Sequence, residues 1–410
     1  MTTDRRVKIA VAAAGLSSFA LLYAPQPVLP QLALQYHLDP GGAALAVSFA
    51  TGALAIAVLP IAVLSEVVGR RPIILASVLS SVVLGLVLPL APSYPALLVL
   101  RALQGVAIAG LPGVAAAYLV ERLGRAGVAT AVGAMIAGNS IGGMVGRLAS
   151  GFVAEPIGWR GALYVVAGIS LVFSLITVVT LPPAERAPAQ LDLRAELKSV
   201  AAGLATAVRR PILLAMYFVA PLATGSFVGL FNAAGFRLTS APLDLSPAIA
   251  SLVFLAYATG SVCSAAAGWL VARAGRTWAL VGALLLALVG ALLTLPDWLP
   301  LVAAGFVLFT CGFFAAHAVA NGWAAAEAPA TARGQVSGLY TLAFYVGSSV
   351  GGAAAATIYG HAGWSWLIAA VSGWLLLGVT VVLLGVRAAR GERPNVAFGA
   401  LDRATATLGR

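Results

Sequence analysis

Three strongly titratable side chains stand inside long apolar stretches of this 410-residue sequence: Arg101, Arg147 and His317. A guanidinium is a planar fork of donors that binds a carboxylate or a row of carbonyl oxygens. A histidine, with an unperturbed pKa of about 6.5, exchanges a proton near neutral pH. Anion recognition and proton transfer are therefore the chemistry open to these residues. They are too sparse for a catalytic site or a metal site, which would group nucleophiles, acids, bases or metal ligands.

Other polar side chains interrupt the same apolar stretches. Because polar groups are costly in hydrocarbon, they usually face a cavity or the interior of a helix bundle. We expect Arg101 to matter more to cargo than Arg147, because Gln104 lies one helical turn away on the same face. The full cargo-binding set that we expect is Tyr23, Gln26, Arg101, Gln104, Asn139, Arg147, Asn232, His317 and Asn321.

Each candidate also has a purely structural interpretation. The two arginines can snorkel to the interface or hold neighbouring carbonyl groups, and His317 can be a packed, neutral histidine. For proton coupling we expect His317 to be the carrier, with Asp39, or Glu66 and Glu121, as alternatives. Five tyrosines contribute either cavity surface or ordinary packing: Tyr23, Tyr217, Tyr257, Tyr340 and Tyr345.

Membrane-spanning helices must position these residues. The sequence is 61% hydrophobic and 9% charged, against roughly 45–50% and about 25% in soluble domains, so a soluble protein is excluded. A bilayer crossing needs about 20 apolar residues. Twelve runs meet that need, so we expect an all-α membrane protein with twelve transmembrane helices. The runs are 9–34, 43–64, 73–91, 96–119, 128–153, 161–181, 211–236, 248–271, 278–295, 300–325, 335–359 and 365–386.

The net charge of +11 reflects the orientation of the chain. Of the 24 Lys and Arg residues, 20 fall in loops or ends on one side of the predicted spans, all except Arg101, Arg147, Arg160 and Arg237. By the positive-inside rule that side is cytoplasmic, and it holds both termini. The basic excess therefore faces anionic lipid, and we expect no nucleic-acid partner.

The second half of the sequence repeats the first. Residues 138–143 (GNSIGG) recur as 347–352 (GSSVGG), 209 residues later. Three further matches, at offsets of 206, 206 and 205 residues, are Gly69-Arg70 with Gly275-Arg276, Glu121 with Glu327, and Gly158-Trp159 with Gly363-Trp364. Parallel repeats of this kind suit a transporter whose halves rock about a central site. The domains that we expect are two six-helix halves, a linker with an amphipathic helix and a cytoplasmic tail, at 1–181, 211–386, 182–210 and 387–410.

Repeated charges and glycines predict gating elements. Acidic and basic residues at the cytoplasmic ends of both halves can form matched ion pairs, which we call the latch pairs: Glu66 and Glu121 with Arg70 or Arg71, and Glu327 with Arg273 or Arg276. Glycines four residues apart give each half a face for close helix contact, which tight packing alone explains equally well. The gating set is Glu66, Gly69, Arg70, Arg71, Glu121, Gly138, Gly142, Gly143, Arg273, Arg276, Glu327, Gly347 and Gly351.

Several segments resemble motifs of the major facilitator superfamily. Residues 64–71 (LSEVVGRR) resemble its loop motif between helices two and three, and residues 101–105 (RALQG) closely match its Arg-x-x-Gln-Gly motif. Residues 138–143 resemble its antiporter motif, with asparagine in place of the usual proline. Residues 23–30 and 142–147 are similar to the acriflavine-sensitivity (YnfM-like) subgroup of its drug/proton antiporter branch.

The resemblance implies two bundles of six helices in which helices one, four, seven and ten line a central cavity. It also implies drug/proton antiport. Antiporters of cationic drugs in this superfamily usually carry a carboxylate within the membrane, whereas all 13 Asp and Glu residues here can be placed outside the bilayer. Two arginines within the spans would make the cavity positive, which favours neutral, zwitterionic or anionic cargo.

Taken together, these observations predict a proton-coupled exporter of a small amphipathic molecule, acting as a monomer in the bacterial inner membrane and contributing to drug resistance. Its partners would be the cargo, protons and the lipid bilayer, with no cofactor. Proton-coupled uptake of a small anion or metabolite is an alternative, and so is a nontransporting receptor on the same scaffold. A channel is disfavoured because the sequence has no filter-like loop or ring of charges.

Overall fold

A computed structural model describes residues 3–182, 202–329 and 332–391 of the chain. All regular secondary structure in these residues is helical, which confirms the expected all-α membrane protein. Ten of the helices are long and apolar enough to cross a membrane: α1 (Thr3–Tyr36), α2 (Pro40–Val68), α3 (Arg70–Leu90), α4 (Tyr94–Leu123), α5 (Thr130–Thr180), α6 (Pro211–Thr239), α7 (Pro247–Leu292), α8 (Leu299–Glu327), α9 (Arg333–Ala362) and α10 (Trp364–Arg390).

Two of the predicted segments fall mainly outside this description. The amphipathic helix expected within 182–210 depends largely on residues 183–201, which lie outside the described residues. The same holds for residues 392–410 of the predicted tail.

In the described parts of the chain, four glycines with positive φ mark sharp turns of the backbone. Gly69 and Gly363 separate consecutive helices, whereas Gly158 and Gly275 lie inside α5 and α7, with φ between +69° and +98° for all four. An L side chain is strained in this conformation, and glycine is not. Gly69 and Gly275 lie 206 residues apart, and Gly158 and Gly363 lie 205 residues apart, which are the offsets of the sequence repeat. The chain therefore turns at the same points in both halves.

Glycines also allow the closest helix crossings, and each half contains the same crossing. In the first half, α5 packs against the backbone of α1, and in the second half α9 packs against the backbone of α6. Every contact in the second half lies 209 residues after its counterpart in the first. The contacts are Gly138 on Ala12, Gly142 on Leu16 and Gly146 on Ala20, and then Gly347 on Pro221, Gly351 on Gly225 and Ala355 on Gly229. The predicted glycine faces thus pack inside each half and do not lie between the halves.

The outer surface of the bundle is apolar. Ile56 is 76% exposed and Val179 is 73% exposed, which suits contact with lipid chains. Exposed indoles flank this surface at two levels, with Trp269 and Trp278 near Gly275 at one end of the bundle. Trp298 and Trp366 lie at the other end, as expected of aromatic residues at the two membrane–water interfaces.

The two halves touch mainly towards one end of the bundle, which we call the Asp39 face; the opposite end is the Glu121 face. Within the described residues, three polar contacts join the halves. They are Gln26 to Asn232 at 2.7 Å, Ser349 Oγ to the Ser48 carbonyl at 2.8 Å, and Asp39 to His361 at 4.0 Å. By helical rise, all three lie within about 20 Å of the Asp39 ends of their helices.

Candidate functional site

Arg101 joins three helices of the first half through carbonyl groups. Its Nε donates to the Ala46 carbonyl of α2 at 2.6 Å, while Nη1 and Nη2 donate to the carbonyls of Leu21 (3.1 Å) and Leu22 (2.5 Å) in α1. Pro25 explains part of this pattern, because the Leu21 carbonyl would otherwise accept from the amide of residue 25, and proline has none. The guanidinium thus satisfies the backbone where α1 is interrupted.

Gln104 completes the environment of Arg101. Its Oε1 accepts from Arg101 Nη1 at 2.5 Å, and its Nε2 donates to the Ser81 carbonyl of α3 at 3.1 Å. Four of the five guanidinium N–H groups of Arg101 are therefore occupied by protein acceptors, and the side chain is fully buried. This geometry supports the structural interpretation of Arg101, because protein acceptors hold its guanidinium.

Arg147 has a different environment, made largely of aromatic rings. Its guanidinium carbon lies 4.1 Å from the ring centroid of Tyr23 and 4.3 Å from that of Tyr257, with Phe254 at 5.5 Å. Its Nη1 donates to the Gly143 carbonyl at 2.8 Å. A Cβ on Gly143 would lie 3.0 Å from Nη1, so the absence of a side chain at this position makes room for the guanidinium.

A chain of side-chain amides links Arg147 to the second half. Gln26 Oε1 accepts from Arg147 Nε at 2.5 Å, and because an arginine can only donate, this bond fixes the orientation of the amide. Gln26 Nε2 then donates to Asn232 Oδ1 at 2.7 Å, and Asn232 Nδ2 donates to the Gly352 carbonyl at 3.3 Å. Gln26 belongs to the first half and Asn232 to the second, so this bond joins the two halves. We call these three residues, Arg147, Gln26 and Asn232, the polar bridge.

Among the described residues, no buried carboxylate compensates the charge of Arg147. Within that part of the chain, Arg147 and Arg101 are the buried charged side chains, and none of the described Asp and Glu side chains is buried. Burying an ion costs several kcal/mol. A cation–π contact returns about 0.5–2 kcal/mol and a hydrogen bond to a charged group about 1.5–3 kcal/mol. With two hydrogen bonds against the four of Arg101, Arg147 is the better place for an anion to bind.

Aromatic rings continue from Arg147 into the second half. Tyr257 lies 5.2 Å from Phe227, which stacks on Phe313 at 3.9 Å between ring centroids. Phe313 in turn stacks on His317 at 6.1 Å. Phe227, Phe254 and Phe313 escape sequence reasoning, because a phenylalanine in an apolar run has the same pattern whether it packs or lines a site. Tyr257 was predicted only as cavity surface or packing.

His317 sits apart from the arginines, between α8 and α9. Its Nδ1 lies 3.0 Å from the hydroxyl of Tyr340, and the ring of Phe344 lies 4.8 Å away. Asn321, one turn further along α8, is exposed. Asn139 lies against Gly15 of α1, and its Oδ1 is buried without a hydrogen-bond partner among the described residues.

The structure therefore divides the predicted cargo-binding set. It brings together Tyr23, Gln26, Arg147 and Asn232, and it pairs Arg101 with Gln104 next to them. The remaining three, His317, Asn321 and Asn139, lie elsewhere.

Among the described residues, the Glu121 face carries three ion pairs, each inside one half. Arg70 lies 2.8 Å from Glu66 and 2.5 Å from Glu121, and Arg276 lies 3.5 Å from Glu327. The other two basic residues of the latch pairs face other groups: Arg71 donates to the Leu181 carbonyl, and Arg273 packs over the ring of Trp269. Because the carboxylates are one-third to one-half exposed, such pairs contribute only about 0–1 kcal/mol each.

Comparison with known proteins assigns the family. The model of the Major Facilitator Superfamily matches residues 11–243 and 229–407. The chain belongs to this superfamily. It is 37% identical over 388 residues to the inner membrane transport protein YnfM of Escherichia coli, covering 93% of this chain and 90% of YnfM. It is 35% identical over 376 residues to the uncharacterised MFS-type transporter YybF of Bacillus subtilis, covering 92% of both chains. The resemblance predicted from the motifs is confirmed.

Solved structures of this superfamily share the fold. A bacterial homologue of the human lysosomal transporter Spinster, in an inward-facing and unoccupied conformation, superimposes with a TM-score of 0.73 at 16% identity, covering 94% of this chain and 96% of the other. The nucleoside transporter NupG gives a TM-score of 0.72 at 14% identity, covering 92% and 99%. From the family model and the curated relatives, the protein is a multi-pass membrane transporter and not an enzyme.

Proposed function

We propose that this transporter is a proton-coupled exporter of a small amphipathic molecule, acting as a monomer in the bacterial inner membrane. The polar bridge is the observation that carries this proposal. Gln26 belongs to the first half and Asn232 to the second, and the two side chains bond to each other, so the bridge is a contact that forms and breaks as the halves rock. Alternating access then consists of opening the Asp39 face and closing the Glu121 face.

The proposed topology has twelve crossings and both termini in the cytoplasm. At 1.5 Å per residue, the 51 residues of α5 would extend about 77 Å and the 46 residues of α7 about 69 Å. Both lengths exceed twice the hydrocarbon thickness of about 30 Å. The turns at Gly158 and Gly275 divide each helix into two crossings. The halves are then 1–181 and 211–386, joined by the linker 182–210 and followed by the tail 387–410.

His317 is the proposed proton carrier, because histidine titrates near neutral pH and Tyr340 offers its ring a hydrogen-bond partner. The test reconstitutes purified protein in liposomes, with a cargo identified by thermal-shift screening of drugs, sugars and organic anions. We expect saturable cargo flux in the direction opposite to the proton flow that an imposed pH gradient drives. In His317→Ala and His317→Gln proteins, the gradient should lose its effect while downhill flux continues.

Three outcomes of this experiment would contradict parts of the proposal. Flux indifferent to the gradient in the wild type would reject proton coupling. Retained coupling in both variants would remove His317 from the mechanism and redirect attention to Asp39, Glu66 and Glu121. No saturable flux above that of empty liposomes would favour a nontransporting receptor.

The latch pairs are proposed to stabilise the helix ends at the Glu121 face during gating. Neutralising Glu121 leaves Arg70 paired with Glu66, and neutralising Glu327 removes the carboxylate that pairs with Arg276. We expect Glu121→Gln and Glu327→Gln to slow transport several-fold while leaving cargo affinity unchanged, because both residues lie far from the polar bridge. Unchanged transport rates in both proteins would refute a role in gating. Asp297→Asn, which removes an acid at the other end of the bundle, serves as the control.

Uptake of a small anion is the second candidate function, and Arg147 is the observation that favours it. An anion bound at a buried guanidinium would promote the binding of a proton, because the two charges attract, and the pair would then move in the same direction. In the liposome experiment, uptake predicts that cargo moves in the same direction as the protons, whereas export predicts that cargo moves in the opposite direction.

A further inference from the structure

Arg147 is held by partners from both halves of the molecule. Tyr23 of α1 and Tyr257 of α7 face its guanidinium at 4.1 and 4.3 Å, so each half supplies one ring of a sandwich. Gln26 adds a second link, because it bonds to Arg147 on one side and to Asn232 of the second half on the other.

These contacts cannot all persist when the halves part at the Asp39 face. Tyr257 and Asn232 would move away with the second half and leave Arg147 with Tyr23, Gln26 and the Gly143 carbonyl. No aspartate or glutamate among the described residues is buried nearby to replace them. A cation in a low-dielectric interior then needs an anion or water.

The site offers a defined chemistry to that anion. A guanidinium binds a planar carboxylate through two parallel hydrogen bonds, which a spherical anion cannot form. The neighbouring surface is aromatic: Tyr257 lies 5.9 Å from Phe314, edge to face, and Phe314 is only partly buried. A ligand with a ring beside its carboxylate meets both features at once.

We infer that Arg147 binds the carboxylate of an aromatic monocarboxylate, whose ring packs beside Tyr257 and Phe314. The inference rests on the transport function proposed above, whether in the export or in the uptake direction, and names its substrate class. The carboxylate replaces the partners that the second half withdraws, so binding of the anion and opening of the Asp39 face accompany each other.

The test is thermal unfolding of the purified full-length protein in detergent with matched compounds. The probes are phenylacetate and indole-3-acetate, their amides, and the amines phenethylamine and tryptamine. We expect the two carboxylates to raise the unfolding midpoint of the wild type by a few degrees, as a ligand in about tenfold excess over its Kd does. The amides and amines should leave it unchanged.

Variants then locate the site. Arg147→Gln should abolish the carboxylate shift, and Arg147→Lys should reduce it, because lysine keeps the charge and loses the planar fork. Tyr257→Leu should weaken it. Arg237→Gln is the matched control and should retain the carboxylate shift. Like Arg147, Arg237 lies over an aromatic ring, the indole of Trp364 at 5.9 Å, but Arg237 also pairs with Asp297.

Two results would overturn the inference. One is a carboxylate shift that survives in Arg147→Gln protein, and the other is an equal or larger shift with the amines. The comparison of carboxylates with amides and amines uses the wild type, so it tests carboxylate recognition even if the Arg147→Gln protein does not fold.

Binding and transport are separated by this design. Carboxylate binding through Arg147 without flux in liposomes would refute the proposed function and leave the site intact. Saturable, gradient-driven flux of another cargo by a protein that binds no carboxylate would refute the site and leave the function intact.

Discussion

Replacing Gly142 by valine is expected to abolish the accumulation of folded transporter, whereas Gly133→Val on the same helix leaves it intact. A Cβ at Gly142 would overlap the backbone of Leu16, where α5 crosses α1. Backbone atoms cannot rotate out of the way as a side chain can. The two helices must therefore move apart along the whole crossing, which costs about 3 kcal/mol or more. A Cβ at Gly133 meets no atom within 4 Å.

Size-exclusion chromatography of detergent extracts, followed by thermal unfolding, measures this effect. The second half provides an independent repetition, because Gly351 meets the backbone of Gly225 in the same crossing. Gly351→Val should therefore behave like Gly142→Val, with Gly373→Val in α10 as its open-space control. Monodisperse Gly142→Val protein with a wild-type unfolding midpoint would show that the crossing is looser than described.

The repeat was largely predictable from sequence because special backbone conformations restrict residue type. Gly69 and Gly275, like Gly158 and Gly363, match in sequence at the repeat offset, and all four have positive φ in the structure. Glycine is the residue that adopts this conformation without strain, so the positions of these turns can be predicted from the sequence.

The partners of the glycine faces were not predictable in the same way. The spacing of Gly138 and Gly142 predicts a close helix contact, but it does not say with which helix. The partner backbones belong to Ala12 and Leu16, whose side chains are ordinary for a membrane helix. Contact through backbone atoms leaves no mark on the residue types of the partner.

The arginines show where polar patterns lose their predictive value. Sequence singles out Arg101 and Arg147 correctly as the buried cations. Which guanidinium has more protein acceptors is not visible in the sequence, because three of the four acceptors of Arg101 are main-chain carbonyls. The pairing of Gln26 with Asn232 was not available from the sequence either, because the matched contacts of α1 and α6 lie 209 residues apart, whereas these two residues lie 206 apart.

A covalent link between the halves at the Asp39 face is expected to stop transport completely. A Cβ on Gly41 of α2 would lie 2.9 Å from that of Thr357 in α9, so cysteines at both positions need a shift of about 1 Å to reach disulfide geometry. Opening of the Asp39 face must separate these helices, and a disulfide prevents it. The matched control joins two helices of one half, Gly110 of α4 and Ser77 of α3, whose Cβ atoms would also lie 2.9 Å apart.

The most direct test of alternating access is therefore cargo flux into liposomes that contain the Gly41→Cys/Thr357→Cys protein. The two native cysteines are removed by Cys263→Ala and Cys311→Ala, and flux is measured before and after reduction of the disulfide. The oxidised protein should move cargo no faster than empty liposomes do, and reduction should restore the rate of the background protein. The Gly110→Cys/Ser77→Cys control should transport in both states. Fully cross-linked Gly41→Cys/Thr357→Cys protein that transports at its reduced rate would contradict the account.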